Sequence, residues 1–207
     1  MSELLEQFAR LGSATVYEAA GREGLVDLEL RQIVPGTRVA GPARPVRCGQ
    51  DDNLMVHAAM AHTRPGDVLV LTMPEPRPVA LVGELLATQA KAHGAGALLV
   101  DAAVRDVDEL VELGLPIWAR WVRIRGADKL VPGTIDEPVV VGGQTIASGD
   151  LVVLDADGAA VVERLAIEAV LRSSLDREEG ERAKREKLRA GALSYDLDGL
   201  REKVEAS

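Results

Sequence analysis

Glu84, Arg105 and Asp106 are the residues whose types and spacing are best suited to chemistry, because each stands where a short apolar run gives way to a helical pattern. Residues 79–82 are apolar in the manner of a strand buried on both faces, and Gly83-Glu84 then opens a helical pattern that closes at His93-Gly94. Residues 97–100 read as the next strand. The twenty residues between Glu84 and Arg105 leave room for one crossover helix and a return strand. Both turns therefore belong at the carboxyl edge of one parallel sheet, where ligands of open α/β sheets bind.

Such a trio suits metal-assisted reaction of a 2-oxo acid. Glu84 and Asp106 offer hard oxygen ligands of the kind Mg²⁺ or Mn²⁺ accepts, with several waters kept on the ion. Arg105 offers a planar fork for a carboxylate. Gly83, Leu85 and Leu86 are the backbone positions expected against the substrate, since N–H groups at a helix start can hold a carboxylate or an enolate oxygen. The metal would polarise the substrate carbonyl as a Lewis acid. Each residue also has an ordinary structural role: the helix dipole favours an acid at Glu84, Asp106 can cap a helix over 107–113, and Arg105 can be a surface arginine.

Composition narrows the function classes. At 207 residues, with 47% apolar content and no composition break, the chain reads as one domain over 1–207, ending in a charged helix and tail from about 163. Aromatic residues are 2% of the chain and the net charge is −9, which argues against nucleic acid as a partner and requires local arginines to draw an anionic substrate. Cys48 is the single cysteine, so a disulfide framework is excluded; with no leader-like or membrane-spanning run, a cytoplasmic protein with no membrane partner is expected.

The glycines do not mark a nucleotide site, because Gly94-Ala95-Gly96 follows a helix instead of opening one. His57 and His62 lie about 140° apart on a helix, too far for shared ligation. Asn53 and His57 are four apart and can face one pocket. Lys91 and Lys129 fall at polar positions, which disfavours a Schiff-base aldolase, and no Gly-x-Ser-x-Gly elbow is present. Arg120, Arg123 and Arg125 read as an exposed strand face or an interface that can widen the cationic surroundings of the substrate.

Several motifs together resemble one family. Gly83-Glu-Leu-Leu-Ala-Thr88 followed by Asp101-Ala-Ala-Val-Arg105-Asp106, with Gly12-Ser-Ala-Thr-Val-Tyr-Glu-Ala19, Asp52-Asn-Leu-Met-Val-His57, Pro65-Gly-Asp67, Ser148-Gly-Asp150 and Asp155-Ala-Asp-Gly158, is similar to the 4-hydroxy-4-methyl-2-oxoglutarate aldolases. These sit within the larger group that resembles the regulator of RNase E activity (RraA-like proteins). Glu84 stands where many relatives have Asp, Ala102 where they have Gly, and Asp198 where they have Tyr.

The resemblance implies a swivelling-domain-like α/β fold of layered sheets and helices. It also implies a class II aldolase that cleaves 4-hydroxy-2-oxo acids to pyruvate and commonly decarboxylates oxaloacetate, with Arg105 binding substrate and Asp106 and Glu84 holding the metal. It places Asn53 and His57 near the site. Assembly would be a homotrimer or homohexamer with sites between subunits, to which Glu178, Glu179 or Glu181 can contribute an acid. The base for the 4-hydroxyl proton is not identified by the sequence; a metal-bound or ordered water is preferred. The alternative is a non-catalytic regulator that binds an RNA-degrading enzyme, and Asp106 favours the enzyme.

The remaining chain is expected to fold as a helical part over 2–21, a pair of strands around 37–47 bent or edged by Pro42 and Pro45, a helix from Asp51 or Asp52 to His62, and a strand over 68–72. Hairpins are expected over 138–146 and 151–162, and a long charged helix over 163–187.

Overall fold

A computed structural model of the chain describes residues 2–205. The strand-helix-strand unit expected at the centre is present. The apolar run of β3 (Val68–Thr72) is buried at all five positions, as a strand covered on both faces must be. It lies parallel to β5 (Ala97–Val104), which also pairs in parallel with β4 (Ala80–Val82) and β6 (Ile117–Val122). Around them, β1 (Arg31–Gln32), β2 (Val39–Arg47), β10 (Leu151–Asp155) and β11 (Gly158–Val162) complete the order β1-β6-β5-β3-β2-β10-β11, with β7 (Thr134–Ile135) on β2. β8 (Val139–Val141) and β9 (Gln144–Ile146) form the separate hairpin whose turn is Gly142-Gly143.

Alternation along β3 separates two layers of core. Leu69 and Leu71 face a cluster capped by α3 (Leu54–Ala59), α4 (Glu84–Ala92) and α5 (Val107–Leu113), which bury Val56, Ala59, Leu86, Ala87, Ala90 and Leu110 there. Val68 and Val70 face a second cluster with Leu99, Trp118, Val139 and Val152. A third, around Phe8, Val16 and Val153, lies under α1 (Ser2–Leu11), α2 (Ser13–Ala19) and the start of α6 (Ile167–Arg189). The helical amino-terminal part is therefore two helices. Gly12 breaks them at φ 84°, and the buried Asp155 carboxylate accepts from Ser13 N (2.8 Å) and Ser13 Oγ (2.6 Å), pinning the second helix to the sheet.

The prolines do not mark an edge. Residues 39–47 form one nine-residue strand in the middle of the sheet that changes partners along its length, from β10 at Val39–Pro42 to β7 at Val46–Arg47 on one side. Pro45 falls between those two pairings, where that side of β2 needs no ladder N–H. α6 continues to Arg189 despite Gly180, and α7 (Ser194–Leu197) and α8 (Leu200–Glu205) follow it with no buried residue. Among the described residues no helix is long and apolar enough to cross a membrane. Cys48 is buried in the first cluster, where desolvation pushes its thiol up to about 12 and leaves it inert.

Phe8 is fully buried beneath the amino-terminal helices, far from the sheet edge that carries the charged trio. Phe8→Ala is expected to lower unfolding stability by about 3–5 kcal/mol in a denaturant titration, the usual cost of a large-to-small core change.

Candidate functional site

Two turns meet at the carboxyl ends of β4 and β5. Arg105 N donates to Val82 O at 3.1 Å, so the strands run side by side to their last residues. Asp106 then adopts a left-handed conformation (φ 60°, ψ 48°), which Asp tolerates better than most residues. Its position is that of an N-cap for α5, yet its carboxylate makes no capping hydrogen bond there. It reaches instead across to α4, where Oδ2 accepts from the Glu84 backbone N–H at 3.0 Å, and Arg105 Nε lies 3.7 Å from the same oxygen. Gly83 makes this approach possible: a Cβ built on it would stand 2.4 Å from Asp106 Oδ2 and 3.2 Å from Arg105 Nε.

A third segment closes the far side. Asp52 is fully buried and its carboxylate accepts from Leu54 N (2.8 Å), Leu130 N (2.6 Å) and Val131 N (3.0 Å), tying the loop after β6 to the start of α3. Burial works to raise the Asp52 carboxyl, but these backbone donors and the Lys129 ammonium outweigh it and hold it below the ordinary range. Asn53 N donates to Asp128 O (2.8 Å), and Ala80 N donates to Arg125 O (2.7 Å). Gly126 lets Arg105 lie across the loop, since a Cβ there would be 2.8 Å from Nη1.

The result is a cleft of about 240 Å³ lined by Gly83, Leu85, Leu86, Arg105, Asp106, Asn53 and His57, with Lys129, Gly126 and Ala127 on the loop side. Seven residues singled out in the sequence thus share one cavity wall. The Glu84 side chain is not among the lining groups; its Oε1 accepts from Thr88 Oγ1 at 2.8 Å along its own helix. Arg120 pairs with Asp101 (3.1 Å) and Arg123 donates to Val122 O (2.8 Å), so neither lines the cleft. Lys129 does line it, although its sequence neighbourhood reads as a plain polar turn; the signal lies in Asp52, whose carboxylate folds that turn inward.

Electrostatically the cleft is cationic. Arg105 and Lys129 line it, and desolvation together with Lys129 lowers the His57 imidazole below its ordinary pKa. Asn53 is 7% exposed; its Nδ2 donates to Leu81 O at 3.0 Å, while its buried Oδ1 has no partner among the described residues. The N–H groups of Leu85 and Leu86, in the first turn of α4, have no earlier helical carbonyl to reach.

The donor chemistry is oxygen. Among the described residues no three His, Cys, Asp or Glu side chains gather as a closed metal cluster. Among the described residues Asp106 Oδ1 has no protein hydrogen bond, and Glu84, at the neighbouring turn, carries a second carboxylate that lies toward Thr88. One or two carboxylates with retained waters is the donor set that a Mg²⁺-type cation accepts.

The strand ends of this α/β sheet thus present an Arg-Asp pair against a glycine-opened helix. The chain belongs to the RraA-like (Aldolase/RraA) family, which it matches over residues 13–161. It is 32% identical over 184 residues, 88% of this chain and 87% of the relative, to a protein of Halalkalibacterium halodurans provisionally named 4-hydroxy-4-methyl-2-oxoglutarate aldolase. RraAS2 of Streptomyces coelicolor, described as an unusual member of the RNase ES inhibitor RraA protein family, superposes with a TM-score of 0.78 at 31% identity, covering 89% of this chain and 96% of that one. An uncharacterised Pseudomonas syringae protein shares the fold, with a TM-score of 0.82 at 23% identity over 93% of this chain and 95% of that one.

Gly83→Ala tests the geometry directly, because the backbone there is extended and only the new methyl is at fault. The variant is expected to stay folded, to move the Asp106 carboxylate off the Glu84 N–H, and to shift the Glu84 amide resonance to that of an unbonded amide. An unchanged Glu84 resonance in Gly83→Ala would show that Asp106 accommodates the methyl without leaving its place.

Proposed function

We propose that the protein is a divalent-metal-dependent lyase that cleaves 4-hydroxy-2-oxo acids, such as 4-hydroxy-4-methyl-2-oxoglutarate or 4-carboxy-4-hydroxy-2-oxoadipate, to pyruvate, and that it decarboxylates oxaloacetate through the same enolate. The observation that carries this reading is the Arg105-Asp106 pair held against the opening of α4, with Asp106 bonded to the Glu84 N–H instead of capping α5. A metal of the Mg²⁺ or Mn²⁺ type, held by Asp106 and Glu84 largely through water, supplies Lewis-acid polarisation of the 2-oxo group when bound.

The chain's own groups do the rest. Arg105 receives the substrate carboxylate as a fork, and the Leu85 and Leu86 N–H groups donate to the substrate oxygen as negative charge develops on it. As the C3–C4 bond breaks, its electron pair moves into the enolate, the 4-hydroxyl loses its proton to an ordered water and C4 leaves as the carbonyl carbon of the second product; return of a proton from that water to C3 then gives pyruvate. Lys129 gives the cleft a second cation, which matches a substrate with a second carboxylate.

A second reading, a regulator that binds an RNA-degrading enzyme, is supported by the likeness to RraAS2 and by the apolar residues exposed beside the cleft, Leu85 (82%), Ile124 (94%) and Leu130 (80%). A pyruvate-release assay on a panel of 2-oxo acids separates the two. Chelation is expected to abolish turnover and Mg²⁺ or Mn²⁺ to restore it, whereas full activity after exhaustive chelation would remove the metal mechanism. Arg105→Lys is expected to raise KM and lower kcat with metal affinity unchanged, because the charge stays and the fork is lost. Asp106→Ala is expected to weaken the metal, with partial recovery in excess Mn²⁺; wild-type kinetics in that variant would sink the assignment.

The same apolar rim, and the exposed Leu193, Leu197, Leu200 and Val204 on and beside the two short carboxyl-terminal helices, support assembly as a closed homotrimer or a pair of trimers. Light scattering at micromolar concentration is expected to return that mass, and a fully active monomer would contradict it.

A further inference from the structure

We propose that Asp101 is a positioning residue: it braces an irregularity in β5 that sets the phase in which Arg105 and Asp106 leave the strand. This inference rests on the reading of Arg105 and Asp106 as the working pair. The irregularity is visible in the register. Between the pairs Val100↔Ala119 and Ala103↔Trp121, β5 carries two residues, Asp101 and Ala102, where β6 carries Arg120 alone. On the other edge the partner changes at the same place, from β3, which ends its pairing at Leu71↔Val100, to β4, which begins at Ala80↔Ala103 with a shift of its own. An extra residue in a strand bends it and re-aims the side chains beyond the bend. Arg105 stands two residues past Ala103.

Asp101 ties the strands together where they lose register. Asp101 is 3% exposed; Oδ1 accepts from Arg120 Nη1 at 3.1 Å, and Oδ2 lies 3.4 Å from Thr72 Oγ1, whose single proton it shares with Met73 O at the same distance. Thr72 is the last residue of β3, and Arg120 is the single β6 residue opposite the extra one. The Arg120 guanidinium in turn lies 4.2 Å from the Trp121 ring centroid, and Trp121 is the residue at which pairing resumes. One carboxylate therefore links the end of β3 and the extra residue of β5 to Arg120 of β6 and, through that guanidinium, to Trp121 where pairing resumes. Burial outweighs the pull of Arg120 and Thr72 and leaves the Asp101 carboxyl above its ordinary range. Asp101 is not among the residues lining the cleft, so its effect on the site must pass through the strand.

The test uses Asp101→Asn, which keeps the shape and removes the charge, and Arg120→Gln, which breaks the same brace from its half-buried end. Phe8→Leu, matched in melting temperature, serves as a control for general destabilisation. Amide hydrogen exchange at Glu84, whose N–H bonds Asp106, reads the geometry without reference to turnover. Both brace variants are expected to speed Glu84 exchange at least about tenfold beyond the change at core amides such as those of Leu69 and Val153, with no such excess in Phe8→Leu. Glu84 exchange that rises only in step with the core in the brace variants would overturn the proposal. If Asp101→Asn does not fold, Arg120→Gln decides alone. Pyruvate binding in the presence of Mg²⁺ is followed in parallel: its absence in the wild-type protein would overturn the proposed function, while the Glu84 readout would still decide whether Asp101 positions the turn.

Discussion

A single hydrogen bond, from the Glu84 backbone N–H to Asp106 Oδ2, joins the two turns on which the candidate site is built. It is possible because β4 and β5 run parallel to their ends, because Gly83 carries no side chain, and because Asp106 accepts a left-handed backbone. A left-handed non-glycine residue costs on the order of 1–2 kcal/mol, so the surrounding strands must over-determine it. They do: Arg105 N is fixed to Val82 O on one side, and α5 begins directly after on the other. An aspartate bound in this way keeps one oxygen for the cleft, which a capping aspartate pointed at its own helix would not.

Two buried carboxylates outside the cleft serve the same end by different means. Asp52 collects three backbone N–H groups and so brings the loop carrying Gly126, Ala127 and Lys129 against α3. Asp101 collects two side chains and spans a break in the sheet. Neither depends on hydrophobic burial for its direction, because apolar packing is non-directional, whereas a carboxylate that must be satisfied fixes which backbone segments come close. The apolar clusters hold the sheet and helices together; the buried acids decide how its upper edge is shaped.

Much of this is legible from residue order. The apolar runs at 68–72 and 79–82, the glycine-opened helix at Glu84 and the spacing to Arg105 lead to parallel strands with adjoining ends, and the structure has them. Gly142-Gly143 and the Asp155–Gly158 turn announce their hairpins in the same way, through local backbone requirements. Pro42 and Pro45 mislead, because a proline states that an N–H is missing without saying which side of the strand needs one. Lys129 escapes notice for a similar reason: a lysine in a polar turn looks solvated until a distant buried acid folds the turn back.

What the sequence determined by itself, then, was the set of elements and the chemistry available at their junctions, since periodicity, glycine positions and charge are local properties of the chain. What only the tertiary structure decided was direction. Asp106 turns to α4 and not to its own helix, Glu84 lies along α4 toward Thr88, and Asp101 and Arg120 find each other across a register break. Each of these depends on which backbone groups remain unpaired after the strands have aligned, and that is settled by contacts between segments far apart in the chain.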